Sequence, residues 1–253
     1  MSEGEKDIGV LVDRNLSFSK HIPQKVNKAN SIMGLIRRTY TFLDETSFRC
    51  LLQALIRPNL EYASAVWYPY TKKDIELIEN VQRRATKQVP SLKQLSYTDR
   101  LKKLKMPTLK YRRLRGDIIE TFKIINGIYD KEVTEIFFEM SRTDQTRGHS
   151  KKIQKGNCRE NLRKHSVKNR VADIWNDLPQ ELVPSKTVKS FEILLDKYWG
   201  KREVKYDNNE EIKIRTESHK KKFLVDIDEE IADIMVERPA SIEDPKVNLV
   251  III

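Results

Sequence analysis

Thr71-Lys-Lys-Asp-Ile-Glu-Leu-Ile-Glu-Asn-Val-Gln-Arg-Arg-Ala-Thr-Lys-Gln-Val-Pro90 is the stretch that decides the class of fold. Ile75, Ile78, Gln82, Ala85 and Val89 recur at spacings of three and four, the period that lines one face of a helix. Thr71 and Asp74 have the spacing of a capping box, with Asp in place of the preferred Glu, so the helix is expected to start there. Pro90 lacks an N–H and its ring clashes one turn back, so it is expected to end there. Between these limits the polar positions carry Arg83, Arg84 and Lys87.

The same grammar extends in both directions. Upstream, a helix is expected from Pro23 with the stripe Ile22, Val26, Ala29, Met33, Ile36 and Tyr40. Asp44 can N-cap a second helix with Phe48, Leu51, Leu52, Leu55 and Ile56, ending near Pro58. Pro58 can open a short third helix through Leu60, Ala63 and Trp67. Downstream, Ser96-Tyr-Thr-Asp99 repeats the capping device before Leu101 and Leu104. The longest helix is expected after Pro107, with Tyr111, Leu114, Ile118, Phe122 and Ile125 inside and Gly127 as its stop. Helices are also expected over Val167 to Trp175 and Ser185 to Trp199. Ile8-Gly-Val-Leu-Val-Asp13 is short and β-branched, so it is expected to be one strand, without a sheet partner in the chain.

The expected architecture is therefore mainly α, a helical bundle with one orphaned N-terminal strand and an irregular basic segment before the last helices. Residues 1–22 form the strand and turn, 23–140 the bundle, 141–206 the basic segment and C-terminal helices, and 207–253 an acidic tail. With only 8 Gly and 9 Pro in 253 residues, a loop-rich sandwich is disfavoured.

Charge is unevenly spread. The whole chain has 48 Lys+Arg against 37 Asp+Glu, a formal charge of +11. Residues 207–253 hold 12 acids and 7 bases, leaving 41 bases and 25 acids in residues 1–206. Gln82 to Arg115 alone carries 12 Lys and Arg against the single acid Asp99. Cations interleaved with apolar residues at helical spacing make a basic surface on folded helices, and a polyanion is its natural partner. A solvated lysine-rich helix face is the competing reading.

Other chemistries find little material. The two cysteines, Cys50 and Cys158, and four scattered histidines offer neither a disulfide framework nor a tetrahedral zinc site. Asp226, Asp228, Glu229 and Glu230 lack the Gly-turn pattern of a calcium loop. No catalytic triad, phosphate loop or glycosidase-like pair of carboxylates is visible, so no metal and no cofactor is assigned. The polar N-terminus lacks an apolar leader core, and the apolar run Leu249 to Ile253 is far too short for a bilayer. An intracellular chain, cytoplasmic or nuclear and without a membrane, is expected.

Several phrases occur together in a suggestive order: Ile8 to Asp13, Leu16-Ser-Phe18, His21-Ile22, Arg57-Pro-Asn-Leu-Glu-Tyr-Ala63, Val66-Trp67, and Glu79-Asn-Val-Gln-Arg-Arg-Ala85. Pro107-Thr-Leu-Lys-Tyr-Arg-Arg113, Phe122-Lys-Ile-Ile-Asn-Gly127, Trp175-Asn-Asp-Leu-Pro179, Ser190-Phe191 and Tyr198-Trp199 follow. Together they resemble the region after the palm in reverse transcriptases of Jockey-like and chicken-repeat-like non-LTR retrotransposons, over roughly residues 7–200. The resemblance implies a helical thumb and C-terminal region that grips an RNA, DNA or hybrid backbone behind a palm, which another chain would supply. It implies phosphate contact for Arg83, Arg84, Lys87, Lys102, Lys103, Arg112, Arg113 and Arg115. It also implies a C-terminal piece without catalysis, because the palm's metal-binding Asp-Asp pair occurs nowhere in the sequence. A host interaction protein, binding protein partners through bundle and acidic tail, is the alternative. Tyr62, Trp67 and Tyr70 could stack on bases, though core packing is the ordinary use of such aromatics.

Overall fold

The structure is a computed structural model that describes residues 4–129, 137–141, 149–156, 165–200 and 203–210. Expectations for the tail beyond residue 210 lie outside the described residues, as does most of 142–164. The fold is mainly α, with eight α-helices and one two-stranded antiparallel sheet among the described residues.

The N-terminus corrects the expectation of an orphaned strand. Gly4–Asp7 (β1) pairs with Val10–Asp13 (β2), so the sheet partner lies within the chain. Ile8 and Gly9 are the two-residue turn between them rather than the start of a strand, with φ of 39° and 82°. Positive φ at both positions is what a type I′ hairpin turn requires, and a β-branched residue accepts it poorly. The strain at Ile8 is held by Tyr62, whose hydroxyl donates to the Ile8 carbonyl at 3.0 Å. The polar Gly4-Glu-Lys-Asp7 carries no apolar alternation, which is why the sequence does not announce it as a strand. Ile8→Asn should give the preferred Asn-Gly turn and stabilise the protein by about 0.5–1 kcal/mol in denaturant unfolding; an equal loss of stability would refute the reading of this turn.

The chain divides into two compact units: residues 4–115 with 165–167 and 203–210, and residues 116–156 with 168–200. The division falls between Arg115 and Gly116, inside a helix.

In the first unit, α1 (His21–Thr39) is the longest helix, two residues longer than the helix after Pro107. It begins two residues before Pro23, and Ile22, Val26, Ala29 and Ile36 are buried as the stripe predicts, while Tyr40 is exposed. His21 is fully buried, and its Nδ1 accepts the Leu11 N–H at 3.0 Å, tying β2 to α1. Burial, with Lys25 nearby, holds its pKa down to about 4, so it is a neutral ring at physiological pH. In α2 (Glu45–Leu51), the Asp44 carboxylate accepts the Thr46 and Ser47 N–H groups, the cap expected. The chain does not stop at Pro58. A single wide turn at Leu52–Ile56 carries it into α3 (Arg57–Glu61), where Pro58 occupies a tolerated first-turn position. Beyond Glu61, Trp67 is fully buried and donates to the Tyr62 carbonyl at 2.7 Å. It is core, whereas Tyr62 and Tyr70 are partly exposed, Tyr70 stacking on His165 at 4.7 Å.

The other helices of this unit are α4 (Lys72–Thr86), α5 (Tyr97–Lys103) and the Leu109–Arg115 part of α6 (Leu109–Ile125). Thr71 and Ser96 cap α4 and α5 as expected, each accepting the N–H three residues on and donating to the Asp there.

In the second unit, α6 ends at Ile125, and Gly127, with φ of 65°, permits the closing bonds Gly127 N–H to Ile124 O and Ile128 N–H to Lys123 O. The helices α7 (Val167–Asn176) and α8 (Val188–Trp199) lie close to their expected limits. Trp175 and Trp199 are fully buried, and Phe122 stacks on Phe191 at 4.2 Å. The Trp175 indole donates to the Lys151 carbonyl at 2.7 Å, and the Asn176 amide clamps both backbone groups of Ile153 at 2.9 Å. These bonds hold a short ribbon in which Met140 pairs with Ile153.

Candidate nucleic-acid interface

The basic segment Gln82 to Arg115 occupies α4, α5 and the start of α6, and its cations serve two different purposes. At the centre is an acid, Glu79, which lies on the buried stripe of α4 and is fully buried. Its carboxylate accepts the Tyr97 hydroxyl at 2.5 Å and the Leu109 N–H at 3.1 Å. It thereby joins α4 to α5 and satisfies the first turn of α6, where the exposed N–H groups favour a negative charge. Burial pushes its pKa up, while the Tyr97 hydroxyl, Arg113 and the Leu109 and Lys110 N–H groups pull the other way.

Cations surround this acid. Arg113 is buried, facing Glu79 electrostatically. Arg100 is buried and points back at the end of α4, with Nε on Thr86 Oγ1 at 3.0 Å and Nη1 on the Leu95 carbonyl at 2.6 Å. Burial lowers its pKa. The ring of Tyr97 meets Arg83 at 5.1 Å and Arg100 at 5.6 Å, two cation–π contacts. Arg83 also bonds Asn80 at 2.6 Å and Glu76 at 3.2 Å. Arg112 forks onto Glu61 with bonds of 2.5 and 2.9 Å. Arg57, also buried, has its pKa pushed down to about 10 by burial and by Arg112.

Residues Val204–Glu210 close over this region. Thr108 N–H and Oγ1 donate to the Lys205 and Val204 carbonyls at 2.9 and 3.0 Å. Lys110 Nζ donates to the Asn208 and Glu210 carbonyls at 3.2 and 2.7 Å, and Asn208 Nδ2 donates to Glu76 at 3.0 Å.

The eight residues expected to touch phosphate are thus sorted. Arg113 is buried, while Arg83 and Arg112 are engaged by Glu76 and Glu61 with their side chains 33% and 37% exposed. Arg84, Lys87, Lys102 and Lys103 are exposed on α4 and α5 and at the end of α4. Of these, Arg84 reaches Asn30 of α1 at 3.2 Å and Lys103 pairs with Glu45 at 3.1 Å, while Lys87 and Lys102 have no acidic partner among the described residues. Arg115 is half-buried at the end of the unit. Lys93 and Lys105, which flank α5, are also exposed, and the sequence signal for both was only their membership of the same basic run. The result is a folded helix pair with some cations engaged inside the unit and others facing solvent, an arrangement suited to backbone phosphates.

No family model matches the chain, and no solved structure matches it. It is similar to an uncharacterized protein of Caenorhabditis elegans, 28% identical over 126 residues, which make up 49% of this chain and 64% of that protein. The chain thus spans less than two thirds of the length of that relative. Among the described residues no helix is long and apolar enough to cross a membrane.

Proposed function

We propose that the first unit is a non-catalytic grip for nucleic-acid backbone, derived from the thumb and C-terminal part of a non-LTR retrotransposon reverse transcriptase. The observation that carries the reading is the set of exposed cations Arg84, Lys87, Lys102 and Lys103 on α4 and α5, supplied by a segment with one acid among 34 residues. The ordered phrases from Ile8 to Trp199 support the derivation. Guanidinium and ammonium groups on a rigid helix pair bind phosphate without reading bases, so binding to duplex or hybrid carries little sequence preference. Catalysis is not part of the reading, because the paired aspartates that would hold two metal ions are missing from the sequence.

The test is the salt dependence of hybrid binding for the full chain. Neutralising Arg84, Lys87 and Lys102 together should lower the slope of log K against log salt by roughly 0.9 for each duplex phosphate that no longer meets a cation. Neutralising Lys220, Lys221 and Lys222 is the charge-matched control and should do less. Equal effects would mean that net charge alone drives binding. A protein-binding role is favoured by a separate observation, the exposure of Leu35 at 56% and Phe42 at 76% near the end of α1. If that role is the true one, Phe42→Ser will abolish the chain's interactions while the cation triple leaves them intact.

A further inference from the structure

We propose that Glu61 is an exchangeable partner, which holds Arg112 in the free chain and passes to the buried Arg57 when a backbone phosphate takes Arg112. The proposal rests on the nucleic-acid reading above for its ligand. It makes Arg112 a phosphate-binding residue, with Glu61 and Arg57 as its positioning residues.

Three observations from the first unit carry it. The first is Arg57, which opens α3, is 4% exposed, and has its Nε and Nη2 buried without a hydrogen-bond partner among the described residues. A guanidinium taken out of water normally has its donors filled, because an unpartnered buried charge is costly. The second is the set of groups that face it. Burial first and Arg112 second hold the Arg57 pKa down to about 10, while Glu61, Tyr97 and Glu79 act in the opposite sense. Glu79 is fully buried, and its two oxygens are committed to the Tyr97 hydroxyl and the Leu109 N–H. Glu61 ends α3 four residues after Arg57, the spacing at which side chains on one helix are neighbours. The third observation is the ion pair that occupies Glu61. Arg112 Nε and Nη2 donate to its two oxygens at 2.5 and 2.9 Å, yet the Arg112 side chain is 37% exposed and that of Glu61 22%. An incoming phosphate can therefore reach Arg112, whereas Arg57 is out of its reach.

The exchange removes an obstacle to binding. A phosphate that forks onto Arg112 displaces a carboxylate of matching geometry, and leaving that carboxylate unpaired would oppose the ligand. By turning to the first residue of α3, Glu61 supplies the acceptor that Arg57 lacks. One carboxylate–guanidinium pair is broken and another is formed, so the phosphate contact comes without a stranded charge.

Replacing Arg112 tests the exchange without nucleic acid. In the full chain, R112Q frees Glu61, so the Arg57 Nε–H resonance should move downfield and exchange with water more slowly, and both changes should largely revert in E61Q/R112Q. An Arg57 resonance that is the same in R112Q as in the unsubstituted chain would overturn the proposal. A short RNA–DNA hybrid added to the unsubstituted chain should shift the same resonance in the same direction. The affinity for that hybrid should rise about fivefold in E61Q, where Arg112 is no longer held. Arg57→Met should lower it about fivefold in the unsubstituted chain but less than about twofold in the E61Q background, which has no carboxylate to relocate. Equal losses in the two backgrounds would mean that Arg57 serves only the packing of the unit, and the exchange would have to be abandoned. The R112Q shift without hybrid binding by any variant would instead refute the nucleic-acid reading and leave the passage of Glu61 from Arg112 to Arg57 standing. Hybrid binding with an unmoved Arg57 resonance would do the reverse.

Discussion

Glu79→Ala is expected to destabilise the first unit by about 3–5 kcal/mol, because the change removes one partner from a buried charged network. The carboxylate accepts the Tyr97 hydroxyl and the Leu109 N–H, and it faces the buried Arg113. With alanine in its place the hydroxyl and the N–H lose an acceptor in a dry site, each at about 1–3 kcal/mol. Arg113 would also be left with an uncompensated charge. The first turn of α6 would lose the group that closes it. Glu79→Gln keeps one acceptor oxygen and should cost distinctly less. Trp67 is the only tryptophan of the first unit among the described residues, so its indole N–H resonance in a urea titration isolates that unit from the second. A shift of less than about 1 kcal/mol for the alanine variant would show that Glu79 is not the centre of the network.

The second unit has its own buried pair. Asp117 of α6 and Arg170 of α7 form two bonds of 2.9 and 3.0 Å, with side chains 5% and 9% exposed. Asp117→Ala should cost about 3–5 kcal/mol, since it strands a buried guanidinium. Replacing both residues by apolar side chains of similar volume should recover much of that loss, because neither charge then has to be desolvated. Trp175 and Trp199 report this unit. If the single and double variants are equally unstable, the ion pair is not what the alanine change removes.

What the sequence reveals follows from how local each device is. Asp44, Thr71, Ser96 and Gly127 act on backbone groups two or three residues away; the first three start helices and the last closes one where the spacing says they should. Trp67, Trp175 and Trp199 are core, the ordinary use of large aromatics beside apolar stripes. The hairpin was hidden because Gly4-Glu-Lys-Asp7 is polar and because Ile8 occupies a turn position that favours Asn or Gly. The wide turn at Leu52–Ile56 was hidden because it is a backbone event with no composition signal, whereas Pro58 opens a short helix as its position allows.

The candidate site was legible as a charge and illegible as a surface. A run of 12 cations is plain in the sequence, but which of them face solvent depends on distant partners. Arg112 is matched by Glu61, 51 residues before it, and Arg83 meets Asn208, 125 residues after it. Glu79 is different. It sits four residues after Ile75 and three before Gln82, on the apolar stripe, so a buried acid with a nearby cationic partner could have been expected from periodicity alone.

Photocrosslinking of the full chain to a short RNA–DNA hybrid, with the modified peptides mapped, locates the residues that meet the nucleic acid. Crosslinks concentrated between Arg84 and Lys105, and lost when Arg84, Lys87 and Lys102 are neutralised, are the expected result. Crosslinks concentrated at Lys220 to Lys222 or on the helices of the second unit, unchanged by that triple substitution, would contradict the account.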